Sequence, residues 1–124
     1  MTLHDLFSNP PRAFRQAPFW FWNHALDKDT LAIQIGQMKE KGLGGFVMHA
    51  RHGLITPYLS EEWFDCIRFA CERAKALDMT AWAYDERDWP SGPAGGTVIA
   101  DPANRLSYLR LEEEFVQGPC PLTF

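Results

Sequence analysis

The sequence predicts an α/β fold with parallel strands, and three observations carry that prediction. Short apolar runs alternate with helical stripes, the connections between them are short, and each apolar run ends in polar or ionisable residues. The first run is Phe19-Trp20-Phe21-Trp22, four aromatics that favour a strand. A run apolar on both faces suits a strand buried on both sides, as parallel strands are. It gives way to Asn23-His24.

Asp27 and Asp29 then offer capping carboxylates for a helix, and Leu31, Ile35 and Met38 recur at the spacing of one buried helical face. Lys39, Glu40 and Lys41 form its solvated end, with Gly42 as the stop. Gly45-Phe46-Val47-Met48-His49 is the second strand, so a βαβ unit has been completed. The unit repeats. Ser60 caps the next helix, with Glu61 and Glu62 set against its dipole. Trp63, Ile67, Ala70, Ala74 and Leu77 trace its buried stripe, widened by Phe64 and Cys71. The third strand is Thr80-Ala81-Trp82-Ala83-Tyr84, ending in Asp85-Glu86.

Beyond it Asp88-Trp89-Pro90-Ser91-Gly92-Pro93-Ala94-Gly95-Gly96 is a loop, and Asp101-Pro102 opens a short helical turn. Residues 107–116 partly alternate and predict a strand outside the first sheet. The organisation is therefore a lead-in over 1–17, broken by Asn9-Pro10-Pro11 and kept wet by Arg12 and Arg15. An α/β domain over 18–106 follows, then the truncated start of a further β element over 107–124.

Two architectures fit such a pattern. A flavodoxin-like sheet is disfavoured because the first βα turn, Asn23-His24-Ala25-Leu26, has no glycine-rich phosphate cradle. The alternative is a partial (β/α)8 TIM barrel: its first three parallel strands and two helices, an N-terminal fragment of a fold that takes eight strands and ~250 residues.

Composition bounds the partners. The 124 residues are 46% hydrophobic, enough for one small core. A net charge of −4 provides no basic field, so nucleic acid is not an expected partner. The opening Met1-Thr2-Leu3-His4-Asp5-Leu6-Phe7 lacks the basic and apolar parts of a signal peptide, which predicts a cytoplasmic protein. No apolar run nears the ~20 residues that span a bilayer, so no membrane partner is expected. Cys66, Cys71 and Cys120 form no CxxC pair, which argues against a disulfide framework or a zinc ribbon; no metal or cofactor is expected.

In a parallel barrel the chemistry lies at the carboxyl ends of the strands. That rim would collect Trp22-Asn23-His24, His49-Ala50-Arg51-His52 and Asp85-Glu86-Arg87, with Trp89 and Ser91 in the adjoining loop. Carboxylates beside aromatic rings suit sugars, whose hydroxyls need fixed donors and acceptors while the ring face packs on indole. The substrate-binding candidates are Trp22, Asn23, His49, Arg51, Asp85, Glu86 and Trp89, with Trp22 and Trp89 as stacking surfaces. Asp85 and Glu86 are also the catalytic candidates. Neighbours on an extended strand point to opposite sides, so they make a poor acid/base pair, and a later strand would supply a partner. An ion pair with Arg87 or Arg51 is equally open to either carboxylate, and a local hydrogen bond to His49. Trp20, Trp82 and Trp63 are expected in the core.

Four stretches then stand in order: Pro18-Phe19-Trp20-Phe21-Trp22-Asn23, Lys41-Gly42-Leu43-Gly44-Gly45-Phe46, Tyr58-Leu59-Ser60-Glu61-Glu62-Trp63, and Tyr84-Asp85-Glu86-Arg87-Asp88-Trp89-Pro90-Ser91-Gly92-Pro93-Ala94-Gly95-Gly96. Together they resemble the N-terminal barrel segment of large bacterial glycoside hydrolases related to α-L-rhamnosidases, over roughly residues 17–110. The resemblance implies a carbohydrate substrate, acid/base hydrolysis of polysaccharide or oligosaccharide linkages, and β-sandwich domains attached or inserted. It also implies main catalytic carboxylates beyond this chain, with the rest of the barrel supplied by missing C-terminal sequence or a neighbouring chain. The isolated chain is then expected to be inactive. Two other readings stand beside it. One is a non-catalytic carbohydrate-binding or interaction remnant, because part of a barrel exposes apolar edges. The other is a metal-dependent barrel hydrolase built on His49, His52 and Asp85.

Overall fold

The computed structural model describes residues 2–87, 91–113, 115, 117 and 118. Its elements run α1 (Leu3–Ser8), β1 (Phe19–Trp22), α2 (Lys28–Glu40), β2 (Gly45–Ala50), α3 (Glu61–Ala76) and β3 (Thr80–Arg87). Short 3-10 turns occupy Arg12–Phe14, Ala94–Gly96, Val98–Ala100 and Pro102–Asn104. The strands form one parallel sheet in the order β1-β2-β3. Phe19 registers with Val47 and Phe21 with His49; Val47 in turn registers with Trp82.

Both long helices start where a side chain caps them. The Asp27 carboxylate accepts from the Thr30 amide at 2.8 Å and the Thr30 hydroxyl at 2.7 Å, and these bonds hold its carboxyl below the usual pKa. Asp29 lies in the first turn of α2 and is not the cap. Ser60 Oγ accepts from the Trp63 amide at 3.2 Å and starts α3. After α2 the chain turns through Gly42 at φ 83°, a conformation glycine adopts without strain. The buried stripe of α3 is Trp63, Cys66, Ala70 and Ala74; Phe64 and Cys71, expected to widen it, face solvent.

One face of the sheet carries the core. Trp20, Trp22, Phe46, Met48 and Ala50 pack with Leu31 and Ile35 of α2 and with the α3 stripe. Trp20 and Phe46 meet edge-on, with ring centroids 5.1 Å apart. Among the described residues no helix covers the other face, where Phe19 is 52% exposed, Phe21 50% and Trp82 59%. Trp82 was expected to fill the core. Its register with Val47, which in turn faces Phe19, puts it on the uncovered side instead.

Three other expectations change. The lead-in contains α1, started by a reciprocal capping box in which Thr2 Oγ1 accepts from the Asp5 amide and Asp5 Oδ2 accepts from the Thr2 amide. Its arginines also do more than keep it wet. Arg15 donates to the carbonyls of Pro10 and Gly42 and to Asn9 Oδ1, and Arg12 pairs with Asp78, so the lead-in is fastened to the turns that precede β2 and β3. Finally, the described residues of 107–124 hold no strand, and Tyr108, Leu109, Leu111 and Phe115 stand exposed. Alternation there meets no partner ladder among the described residues, and a lone extended segment is not a strand. The turn at Asp101-Pro102 does form, with Asp101 accepting from the Ala103 amide at 2.9 Å.

Two glycines should respond in opposite directions. A Cβ on Gly45 would sit 2.2 Å from the Thr80 carbonyl oxygen, where β2 and β3 begin their ladder, whereas one on Gly36, inside α2, would meet nothing within 4 Å. Gly45→Ala is expected to cost about 2–3 kcal/mol or prevent folding, and Gly36→Ala to stabilise by about 0.5–1 kcal/mol. Urea unfolding followed by circular dichroism measures both. The face assignment has its own check in acrylamide quenching. Trp82→Phe should lower the quencher-accessible share of the tryptophan fluorescence, while Trp22→Phe, at a residue 2% exposed, should leave the accessible signal in place.

Candidate functional site

The carboxyl ends of β1 and β2 are laced to each other. The Arg51 amide donates to the Trp22 carbonyl at 3.0 Å, and the Ile55 amide to the His24 carbonyl at 3.4 Å. Buried Thr56 accepts from the Leu26 amide at 2.9 Å. Gly53 makes this possible: its φ is 94°, and a Cβ there would lie 2.9 Å from the Asn23 carbonyl oxygen. The loops after β1 and β2 are thus held by backbone and hydroxyl bonds, which is how a loop comes to hold a functional side chain in place.

On the uncovered face, His49 is only 1% exposed although no helix packs over it. Aromatic rings bury it instead. Tyr84 lies 4.6 Å away between centroids, and Phe19 and Phe21 lie 5.7 Å away. The Arg51 guanidinium sits over the Phe21 ring, 5.0 Å from its centroid, in cation–π geometry. Phe19, Phe21, His49 and Arg51 line a pocket of about 120 Å³.

The third strand end is irregular. Met48 registers with Ala83 but Ala50 with Arg87, so Tyr84, Asp85 and Glu86 together oppose His49. This is a bulge, rare between parallel strands. The displaced Asp85 carbonyl accepts from the Tyr58 hydroxyl at 3.1 Å. Burial first, then the nearby Asp85 carboxylate, pushes the Tyr58 phenol above its ordinary pKa, with Arg87 opposing. The Asp85 residue is exposed, whereas Glu86 is half-buried, its Oε2 out of water with no hydrogen-bond partner among the described residues.

Of the residues expected at the site, the structure brings His49 and Arg51 into one pocket and puts Asp85 and Glu86 on the neighbouring strand end. Trp22 does not join them. It is 2% exposed and meets Trp20 edge-on at 5.5 Å in the core, so it offers no stacking surface. The reason is parity: residues two apart on a strand share a face, and Trp20 is core. Asn23 is exposed and lines a separate groove of about 590 Å³ beside β1, with Trp20, His24, Thr30 and Gln34. Trp89 lies outside the described residues. Sequence reasoning missed Phe19, Phe21 and Tyr84 as the walls around His49, and Tyr58 beside β3. The same two-residue period would have found the first two.

Among the described residues no three of His, Cys, Asp or Glu gather as a metal-ligand set, so a metal-dependent reading on His49, His52 and Asp85 has no site there. No helix among them is long and apolar enough to cross a membrane. The pocket offers aromatic surface and a guanidinium above a buried imidazole, with two carboxylates on the neighbouring strand end, a set suited to a small polar ligand with an apolar face.

No protein-family model and no curated protein matches the chain. Among solved structures it is similar to a rhamnosidase from Novosphingobium sp. PP1Y, at 30% sequence identity and a TM-score of 0.62. The match covers 72% of this chain and 9% of that one, so the chain spans under a tenth of the enzyme it resembles. The three parallel strands and their helices are therefore an α/β fold similar to part of that rhamnosidase.

Proposed function

We propose that the chain forms the opening wall of a (β/α)8-barrel glycoside hydrolase of the rhamnosidase type, acting on polysaccharide or oligosaccharide linkages. The observation that carries this reading is a parallel sheet that the described residues cover on one face only, whose sequence also matches a rhamnosidase at 30% identity. Parallel sheets are ordinarily covered on both faces. In a barrel the inner face is covered by the other strands, which here would come from further sequence or a neighbouring chain. Arg51 then contacts sugar hydroxyls from above the buried His49, Phe19 and Phe21 back the cleft, and Asp85 and Glu86 border it from β3. The acid and base that act at the anomeric carbon come mainly from later strands.

A chimera tests the proposal. Residues 18–106 replace the matching segment of the Novosphingobium rhamnosidase, and hydrolysis of p-nitrophenyl α-L-rhamnopyranoside is followed. The folded chimera should turn over, and Arg51→Ala within it should lower kcat/KM by roughly ten- to a hundredfold, the range of a charge-assisted hydrogen bond. The isolated 124-residue chain should give no turnover. A chimera that melts cooperatively yet never hydrolyses, or an isolated chain as fast as a whole enzyme, would each end this reading.

A further inference from the structure

We infer that Tyr58 is a positioning residue: its hydroxyl pins the displaced backbone of β3 and so fixes where Asp85 and Glu86 stand at the mouth of the site. Three observations meet here. The register slips by two residues opposite His49, which takes the Asp85 carbonyl out of the regular ladder. That carbonyl accepts instead from the Tyr58 hydroxyl at 3.1 Å, a donor on the loop between β2 and α3. The phenol is itself held on two sides. Its ring packs edge-on against buried Trp63 at 5.1 Å, and a Cβ on Gly95 would come within 3.5 Å of Tyr58 Cδ1 and 2.9 Å of Arg87 Cδ.

Tyr58 therefore connects the packed Trp63 of α3 to the strand end where, among the described residues, the β2–β3 register shifts. Bulges re-aim side chains, and the residues re-aimed here are the two carboxylates at the rim. Only glycine fits easily at position 95, where φ is 67° and the turn closes against both Arg87 and Tyr58. The importance of Asp85 and Glu86 to a sugar rests on the function proposed above; the pinning of the bulge does not.

The test is Tyr58→Phe in the full chain, which keeps the ring packing and removes only the donor. Tyr108→Phe, at an exposed phenol, is the control. In the ¹⁵N-labelled protein, the amide resonances of residues 84–87 should move and the amides of Glu86 and Arg87 should exchange about tenfold faster. Resonances of β1 and the melting temperature should stay in place. Unmoved resonances at 84–87 would overturn the inference, as would uniformly faster exchange through all three strands with a lower melting temperature. A second arm titrates L-rhamnose. Wild-type shifts at residues 84–87 and 49–51 should become, in Tyr58→Phe, shifts at 49–51 alone; retention of both would overturn the positioning role. Wild-type protein unaffected by the sugar counts against the glycosidase reading, while the exchange arm still decides for or against Tyr58.

Discussion

Burial of one face of a parallel sheet is the constraint from which the other features follow. Trp20, Trp22, Phe46 and Met48 are removed from water against α2 and α3, and each such side chain contributes about 1.5–3 kcal/mol of hydrophobic stabilisation. That sets the parity of all three strands. With the even positions of β1 committed to the helices, Phe19 and Phe21 must face away, and the register carries Val47, His49 and Trp82 to the same side. Core and candidate site thus alternate along the same strands. A one-residue slip of β2 would drive His49 under the helices and expose Met48, so the energy that builds the core also selects the face on which His49 stands.

The rim shows how a regular sheet is modified to present side chains. β2 and β3 pair regularly from Gly45 with Thr80 to Met48 with Ala83, a start that needs Gly45 because the chains approach too closely for a Cβ. The pairing then breaks opposite His49, where three residues of β3 face one of β2. Tyr84 uses the irregular stretch to lie 4.6 Å from the imidazole, and Tyr58 receives the carbonyl that the ladder gives up. On the other side the loops after β1 and β2 bind each other, with Gly53 allowing the close approach. Each strand end is thereby held by a neighbour.

What was legible in the sequence was local. β1 coincides with the aromatic run, and both long helices begin after the carboxylate or hydroxyl that the sequence offers as a cap, at Asp27 and Ser60. The α1 capping box was equally visible at Thr2 and Asp5, but a six-residue helix that buries nothing carries no hydrophobic stripe to reveal it. β3 runs on through Arg87 because polar residues are tolerated where a strand leaves the core; Asp85-Glu86 looked like an ending and is part of the strand. Trp22 and Trp82 were misplaced for a shared reason. Residue type and place along a strand do not reveal which face a side chain takes; parity and register decide it. The ties from Arg12 to Asp78 and from Arg15 to Gly42 span sequence separations of 66 and 27, and nothing local announces them.

The uncovered face is not uniform, and its gradient separates packing from chemistry. Toward the amino ends of the strands, Phe19, Val47 and Trp82 lie in register and carry no ionisable group. Toward the carboxyl ends the next layer holds Phe21 beside His49, with Tyr84 and Arg51 against them. A surface needing only apolar cover would repeat the first layer, as barrel interiors do with bulky apolar residues. Burying an imidazole and placing a guanidinium beside it carries a desolvation cost that plain packing has no reason to bear. That cost falls at the end of the sheet where strand tips and loops converge, and where the bulge brings two carboxylates to the rim. Under the barrel reading proposed above, the lower layer would be the packing surface and the upper layer the one that meets the sugar.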